Sequence, residues 1–171
     1  MLCARPDVGV CGAMLYFPND TIQHAGVMIG YHGTAGHHSL GFPRYSTGYF
    51  GRLLYQQTFS AVTFACCMVK RSVFDELGGL DETLAVAYND VDFCLRVRQR
   101  GLLVAWTPFA ELYHHESVSR GYDRERSEKV RLQKEKHIFR TRWKDLLESG
   151  DPCYNRNLTL IRPDFVLKQP E

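Results

Sequence analysis

"AYNDVDFCLRVRQRGLLVAWTPFAELYHH", residues 87–115, reads as a helix, a stop and a strand in succession. Asn89 offers an N-cap, and Asp92, three residues later, takes the capping-box position. Val91, Cys94 and Leu95 share one face of that helix, with Arg98 near it. Arg96, Arg98 and Arg100 load the C-terminal half, where cations complement the helix dipole. Gly101 supplies the stop. Residues 102–115 then read as a strand interrupted at Pro108. Strands among helices predict a mixed α/β domain.

The flanking stretches agree. "VGVCGAMLYFPNDTIQHAGVMIG" contains two β-like runs, Val8–Phe17 and Thr21–Ile29, around the turn residues Pro18, Asn19 and Asp20, which predicts a hairpin. Residues 30–58, rich in Gly, His and Tyr, have no period and read as a long loop. "SAVTFACCMVKR" reads as a short buried strand, and "RSVFDELGG" as a short helix capped by Ser72 and ended at Gly78. From about Tyr122 to Glu148, Leu132, Phe139, Trp143 and Leu146 recur at helical spacing in a charged background, which predicts one long amphipathic helix. An extended tail follows. The expected division is a body over residues 1–120 and a C-terminal helix and tail over 121–171.

Totals bound the function classes. The 171 residues are 44% hydrophobic and 23% charged, an ordinary globular balance. A net charge of +2 gives no electrostatic case for nucleic acid. No apolar run of about 18 residues predicts a membrane span, and "MLCARPDVGV" does not read as a signal peptide. Six cysteines without metal spacing read as apolar filling in a reducing, cytosolic setting.

Asp90 and Asp92 invite three readings: a metal-binding pair, a catalytic base with a neighbour, or a well-capped helix start. Residues two apart on a helix point about 200° apart, so the pair does not chelate one ion from within a helix. Asp92 has the capping duty. Asp90 sits at the first helical position, where the dipole keeps a carboxylate ionised; such a group either complements the dipole or takes a proton from an alcohol. Downstream, "LYHHESVSRG" at 112–121 brings His114, His115, Glu116, Ser117, Ser119 and Arg120 together, chemistry suited to a metal–diphosphate group.

Five stretches in order, "VGVCGAMLYFPNDTIQHAGVMIG", "SAVTFACCMVKRSVFDELGGLDE", "YNDVDFCLRVRQRG", "WTPFAELYHHESVSRG" and "DPCYNRNLTL", resemble the C-terminal half of family 2 glycosyltransferases of the rhamnan- or O-antigen-synthesis type. The resemblance runs from about Val8 to Leu160. It implies a GT-A fold whose nucleotide-binding half is absent here, in a parent enzyme that transfers a sugar from a nucleotide diphosphate donor to a glycan acceptor hydroxyl with inversion. It also implies Asp90 as the catalytic base and His114 as a ligand of Mn²⁺ or Mg²⁺. Gly78, Gly79 and Asp81 match a loop beside the donor sugar and acceptor, Asn89 stands where the acidic motif usually has Glu, and Ser119 and Arg120 match a segment closing over the diphosphate. Thr63-Phe64-Ala65 stands where the family often has Thr-Gly-Ala, which implies a narrower or different donor-sugar site. The isolated chain is expected to be inactive.

Three rivals remain. The stretch at 31–52 reads equally as a carbohydrate- or protein-binding surface and as a Gly-rich surface loop. His24, His32, His37, His38 and His114 are the ligands of a metal hydrolase only with spacing that fits no usual zinc pattern. Self-association into a homodimer follows if losing a partner half exposes apolar surface.

Overall fold

A computed structural model of the chain describes residues 2–115 and 125–169, with side chains from residue 128 onward in the second stretch. Its centre is strand β1 (Val8–Tyr16), nine residues of which only Cys11 is not fully buried. Burial on both faces explains why this stretch reads as a continuous apolar run rather than an alternating one. β1 pairs in parallel with β7 (Leu103–Tyr113) along one edge. On its other edge it pairs antiparallel with β2 (Ile22–His24) at one end and β6 (Cys67–Val69) at the other. β5 (Gln57–Phe59) completes a five-stranded mixed sheet by pairing antiparallel with β7.

The expected hairpin is present, with Leu15 opposite His24. The second arm is split, however. Gly26, at φ +120°, breaks it into β2 and β3 (Val27–Ile29), and β3 pairs with β4 (Ala35–His37) in a separate ribbon. A Cβ on Gly26 would stand 2.7 Å from the Phe59 ring, so the bend and the close packing need the same residue. β4 falls inside the stretch expected to be a loop, and β5 begins at its end. Their three-residue lengths leave no periodicity to detect.

Two further expectations are corrected. Residues 60–66 form no strand of the sheet: Ala61 makes an isolated bridge to Val27, residues 64–65 turn, and only Cys67–Val69 joins the sheet, half-exposed. Helix α1 (Arg71–Glu76) begins after Lys70 without a side-chain cap, so Ser72 lies within the helix; Gly78, at φ +72°, does follow its end. Pro108 does not end β7. Ala13 pairs with Thr107 but Met14 with Glu111, so residues 108–110 bulge out of the ladder. The bulge tolerates a residue with no N–H to donate.

Helix α2 (Asn89–Gln99) packs between the sheet and the C-terminal helices, with Val91 through Leu95 and Val97 all buried. The expected long C-terminal helix is two, α3 (Glu125–Arg142) and α4 (Lys144–Ser149), broken at Trp143. Phe139 and Trp143 join the core formed by β1, β7 and α2. Among the described residues no helix is long and apolar enough to cross a membrane.

Candidate functional site

The two aspartates of α2 part company. The chain enters the helix through Tyr88, which sits in the left-handed region at φ 64° and makes no side-chain cap. Asn89 is therefore the first helical residue rather than the cap, and its Oδ1 accepts from the Asp90 N–H at 2.7 Å. The Asp90 carboxylate is fixed by two backbone donors, Val91 N–H to Oδ1 at 2.8 Å and Phe64 N–H to Oδ2 at 3.2 Å. One and two turns on, the Cys94 thiol donates to the Val62 carbonyl (3.6 Å) and Arg98 donates to the Phe59 carbonyl (3.3 Å). Residues 90, 94 and 98 share one helix face, and that face is tied to segment 59–64 at three points.

Asp92 faces the other way and is fully buried. It is not a capping acceptor. Its Oδ2 accepts from Arg96 Nε at 2.8 Å, and its Oδ1 from Arg142 Nη1 at 2.9 Å and Trp143 Nε1 at 3.0 Å. Arg96 also donates to the Leu77 and Gly79 carbonyls, and Arg142 pairs with Asp81 at 2.6 Å. The Thr83 hydroxyl and amide, then Arg142, push the Asp81 carboxyl down to about 2. Gly78, Gly79 and Asp81 thus surround Asp92's partners, on the side of α2 away from the Asp90 carboxylate. They line a hollow of about 420 Å³ with Arg96, Arg142 and Trp143.

Asp90 opens instead on a hollow of about 220 Å³ that it lines with Val27, Gly36, His37 and Tyr88. His37 reaches this wall from β4, and its Nδ1 lies 2.7 Å from Nδ1 of fully buried His24. The Thr63 N–H donates to His24 Nε2 at 3.4 Å, so the other His24 nitrogen carries the proton and donates to His37. Burial, then the neighbouring imidazoles of His37 and His38, keep His24 well below the usual histidine range and hence neutral. The segment before α2 is itself anchored by Glu135 of α3, which accepts from the Val86 and Ala87 amides at 3.3 and 2.9 Å and is 2% exposed.

His114 lies one residue beyond β7. Its N–H donates to the Tyr16 carbonyl at 3.0 Å, and its ring and carbonyl both contact Gln23 of β2. Gln23 and His24 are adjacent on a strand and point to opposite faces. β2 therefore touches His114 on one face and the His37 wall of the Asp90 hollow on the other. Ser119 and Arg120 lie outside the described residues. Among the described residues no group of three or more His, Cys, Asp or Glu is placed to hold a metal ion, which leaves the five-histidine hydrolase set without a centre.

The sequence reading missed Asp92's role, Glu135, and the placement of Gln23, His24 and His37. Glu135 alone carried a signal: it falls between Leu132 and Phe139 on the apolar stripe, where a charge needs partners. The others depend on contacts far apart in the chain.

Comparisons with known proteins extend this picture. No family model matches the chain, and no solved structure matches it. It is 51% identical over 170 residues to the uncharacterized protein y4gI of Sinorhizobium fredii, covering 99% of this chain and 19% of that protein. It is 40% identical over 167 residues to the O-antigen biosynthesis protein RfbC of Myxococcus xanthus, covering 96% of this chain and 13% of that protein. Over 59 residues, 34% of this chain and 19% of the relative, it is 39% identical to the N-acetylglucosaminyl-diphospho-decaprenol L-rhamnosyltransferase of Mycobacterium tuberculosis. The chain spans less than a fifth of the length of each of these relatives. By these similarities the chain stands in a glycosyltransferase-type relationship to proteins of polysaccharide and glycan biosynthesis.

Proposed function

We propose that the chain is the acceptor-side portion of a family 2, GT-A glycosyltransferase, acting by direct displacement with inversion. The observation that carries this reading is the Asp90 carboxylate, held by the Phe64 and Val91 amides at the rim of a hollow. Two fixed backbone donors orient the group while leaving each oxygen able to accept once more. A carboxylate so placed accepts the proton of an acceptor hydroxyl as that oxygen attacks the donor sugar. His37, which lines the same hollow, is suited to orient the same hydroxyl. His114 is the residue that would ligate Mn²⁺ or Mg²⁺, an oxygen-preferring ion that tolerates one imidazole. Such an ion supplies charge stabilisation for the departing nucleoside diphosphate. One imidazole does not hold it alone, so the donor site is completed by residues outside those described, and the 171 residues are inactive by themselves.

In a protein of the relatives' length that carries this chain, Asp90→Asn lowers sugar transfer about 10²–10⁴-fold while leaving the domain folded. Unchanged turnover would remove Asp90 from the role, and tight metal-dependent binding of a UDP- or dTDP-sugar by the 171 residues would contradict the partial-site reading.

A second reading, a non-catalytic carbohydrate-binding module, draws on the loop expected to carry it. Tyr45 is 89% exposed, and Phe50 is 85% exposed and in the left-handed region. Exposed rings suit stacking on sugar faces. Glycan-array binding that ignores nucleotide-sugars favours this reading over transfer.

A further inference from the structure

Gln23 is a buried carboxamide, 5% exposed, on a strand of three residues. Both ends of its side chain go to one residue. Nε2 lies 3.3 Å from the His114 carbonyl oxygen, and Oε1 lies 2.8 Å from His114 Nδ1. The logic of donors and acceptors then leaves one arrangement. A carbonyl oxygen only accepts, so the amide nitrogen must face it. That turns the amide oxygen, also only an acceptor, toward Nδ1. Nδ1 must therefore carry the proton, and in the neutral ring Nε2 holds the lone pair. The His114 N–H is separately tied to the Tyr16 carbonyl at 3.0 Å, so ring, carbonyl and amide are all held.

An imidazole whose Nδ1–H is bound to a carbonyl-type oxygen is the usual posture of a metal-ligating histidine, because the outer hydrogen bond fixes tautomer and ring orientation and raises ligand basicity. We propose that Gln23 is a positioning residue of the cation site, holding His114 as the Nδ1–H tautomer so that Nε2 is ready to bind a divalent ion. This rests on the reading of His114 as a ligand. It adds a residue of the N-terminal hairpin to the surroundings of His114, held there by the parallel β1–β7 pairing and the β1–β2 hairpin.

The test separates the two claims. Long-range ¹H–¹⁵N correlation spectra of the ¹⁵N-histidine-labelled 171-residue chain, without metal and above pH 7.5, report which nitrogen of each ring is protonated; His114→Gln assigns the signal. The expected result is a protonated Nδ1 and bare Nε2 at His114. An Nε2–H form in the unsubstituted chain overturns the proposal with no variant needed. Gln23→Leu should release the ring toward the Nε2–H form that free imidazoles prefer, and Gln23→Glu, which keeps an acceptor at Nδ1, should restore Nδ1–H; a His114 tautomer unmoved by Gln23→Leu also overturns it. Mn²⁺ titration then reads the ligand claim: one imidazole gives only weak, fast-exchanging contact, so the supporting result is selective broadening of the His114 ring over exposed His115 that Gln23→Leu reduces about 10-fold. Equal broadening of the two rings refutes the cation role of His114, and with it the purpose assigned to Gln23, even where the tautomer is as stated.

Discussion

Replacing Asp92 by Asn should unfold the domain at lower denaturant than replacing Asp90 by Asn, although the two lie two residues apart. The Asp92 side chain is fully buried, while its partners Arg96 and Arg142 are 21% and 34% exposed. Asn keeps the shape and one acceptor, which can still serve Arg142 and Trp143. It turns an NH₂ toward Arg96 Nε, now 2.8 Å from a carboxylate oxygen, and removes the carboxylate charge that Arg96 pairs with, while Arg142 keeps Asp81. Removing one partner of a buried ion pair costs about 3–5 kcal/mol. Water can reach both guanidinium groups in part, so the loss here is about 2–3 kcal/mol, or roughly 4–12 °C in Tm for a domain of this size. Asp90 accepts from two backbone amides and pairs with no arginine among the described residues, so Asn there loses about 1 kcal/mol. Urea unfolding of both variants, followed by far-UV circular dichroism with a common m-value, measures the difference. An Asp92→Asn loss below about 0.5 kcal/mol, or a larger loss for Asp90→Asn, would refute the assignment of a structural role to one and a functional role to the other.

Two further outcomes follow from buried groups. Burial, then the charge of Arg52, holds His38 down at about 3, and burial holds His24 well below the ordinary value. Below about pH 6.5 the unfolded chain takes up protons that these folded rings refuse, so stability is full above that pH and falls as pH drops; each ring costs about 2 kcal/mol between pH 7 and 5. His38→Gln should reduce the pH slope of the unfolding free energy by about one proton, and a slope near zero in that window contradicts the buried neutral state. Glu135→Ala strips the acceptor from the Val86 and Ala87 amides. Each orphaned donor costs about 1–3 kcal/mol, and amide exchange at 86 and 87 should speed up ahead of exchange in β1; unchanged protection would mean that Glu135 does not anchor the segment before α2.

Local patterns carried far in this chain because its elements obey local rules. The hairpin at Val8–His24 follows from apolar runs around Pro18-Asn19-Asp20, and α2 follows from its apolar spacing and the glycine after it. The resemblance in five short stretches pointed toward sugar transfer, and relatives of that type agree with it. Asp92 is the instructive failure. The capping-box pattern is a local prior, and it lost to a tertiary demand: a carboxylate on the inner face of α2 met Arg142 and Trp143, fifty residues away.

By itself, then, the order of residues determined which segments became strand and helix over the longer runs, and that Asp90 and Asp92 must look in different directions, since both follow from the backbone's own periods. Only the folded chain decided which aspartate was buried, which glycine bent the second hairpin arm, and which nitrogen of His114 keeps its proton. Those outcomes depend on partners distant in sequence, and a hydrogen bond between Gln23 and His114 across ninety-one positions leaves no trace in local spacing.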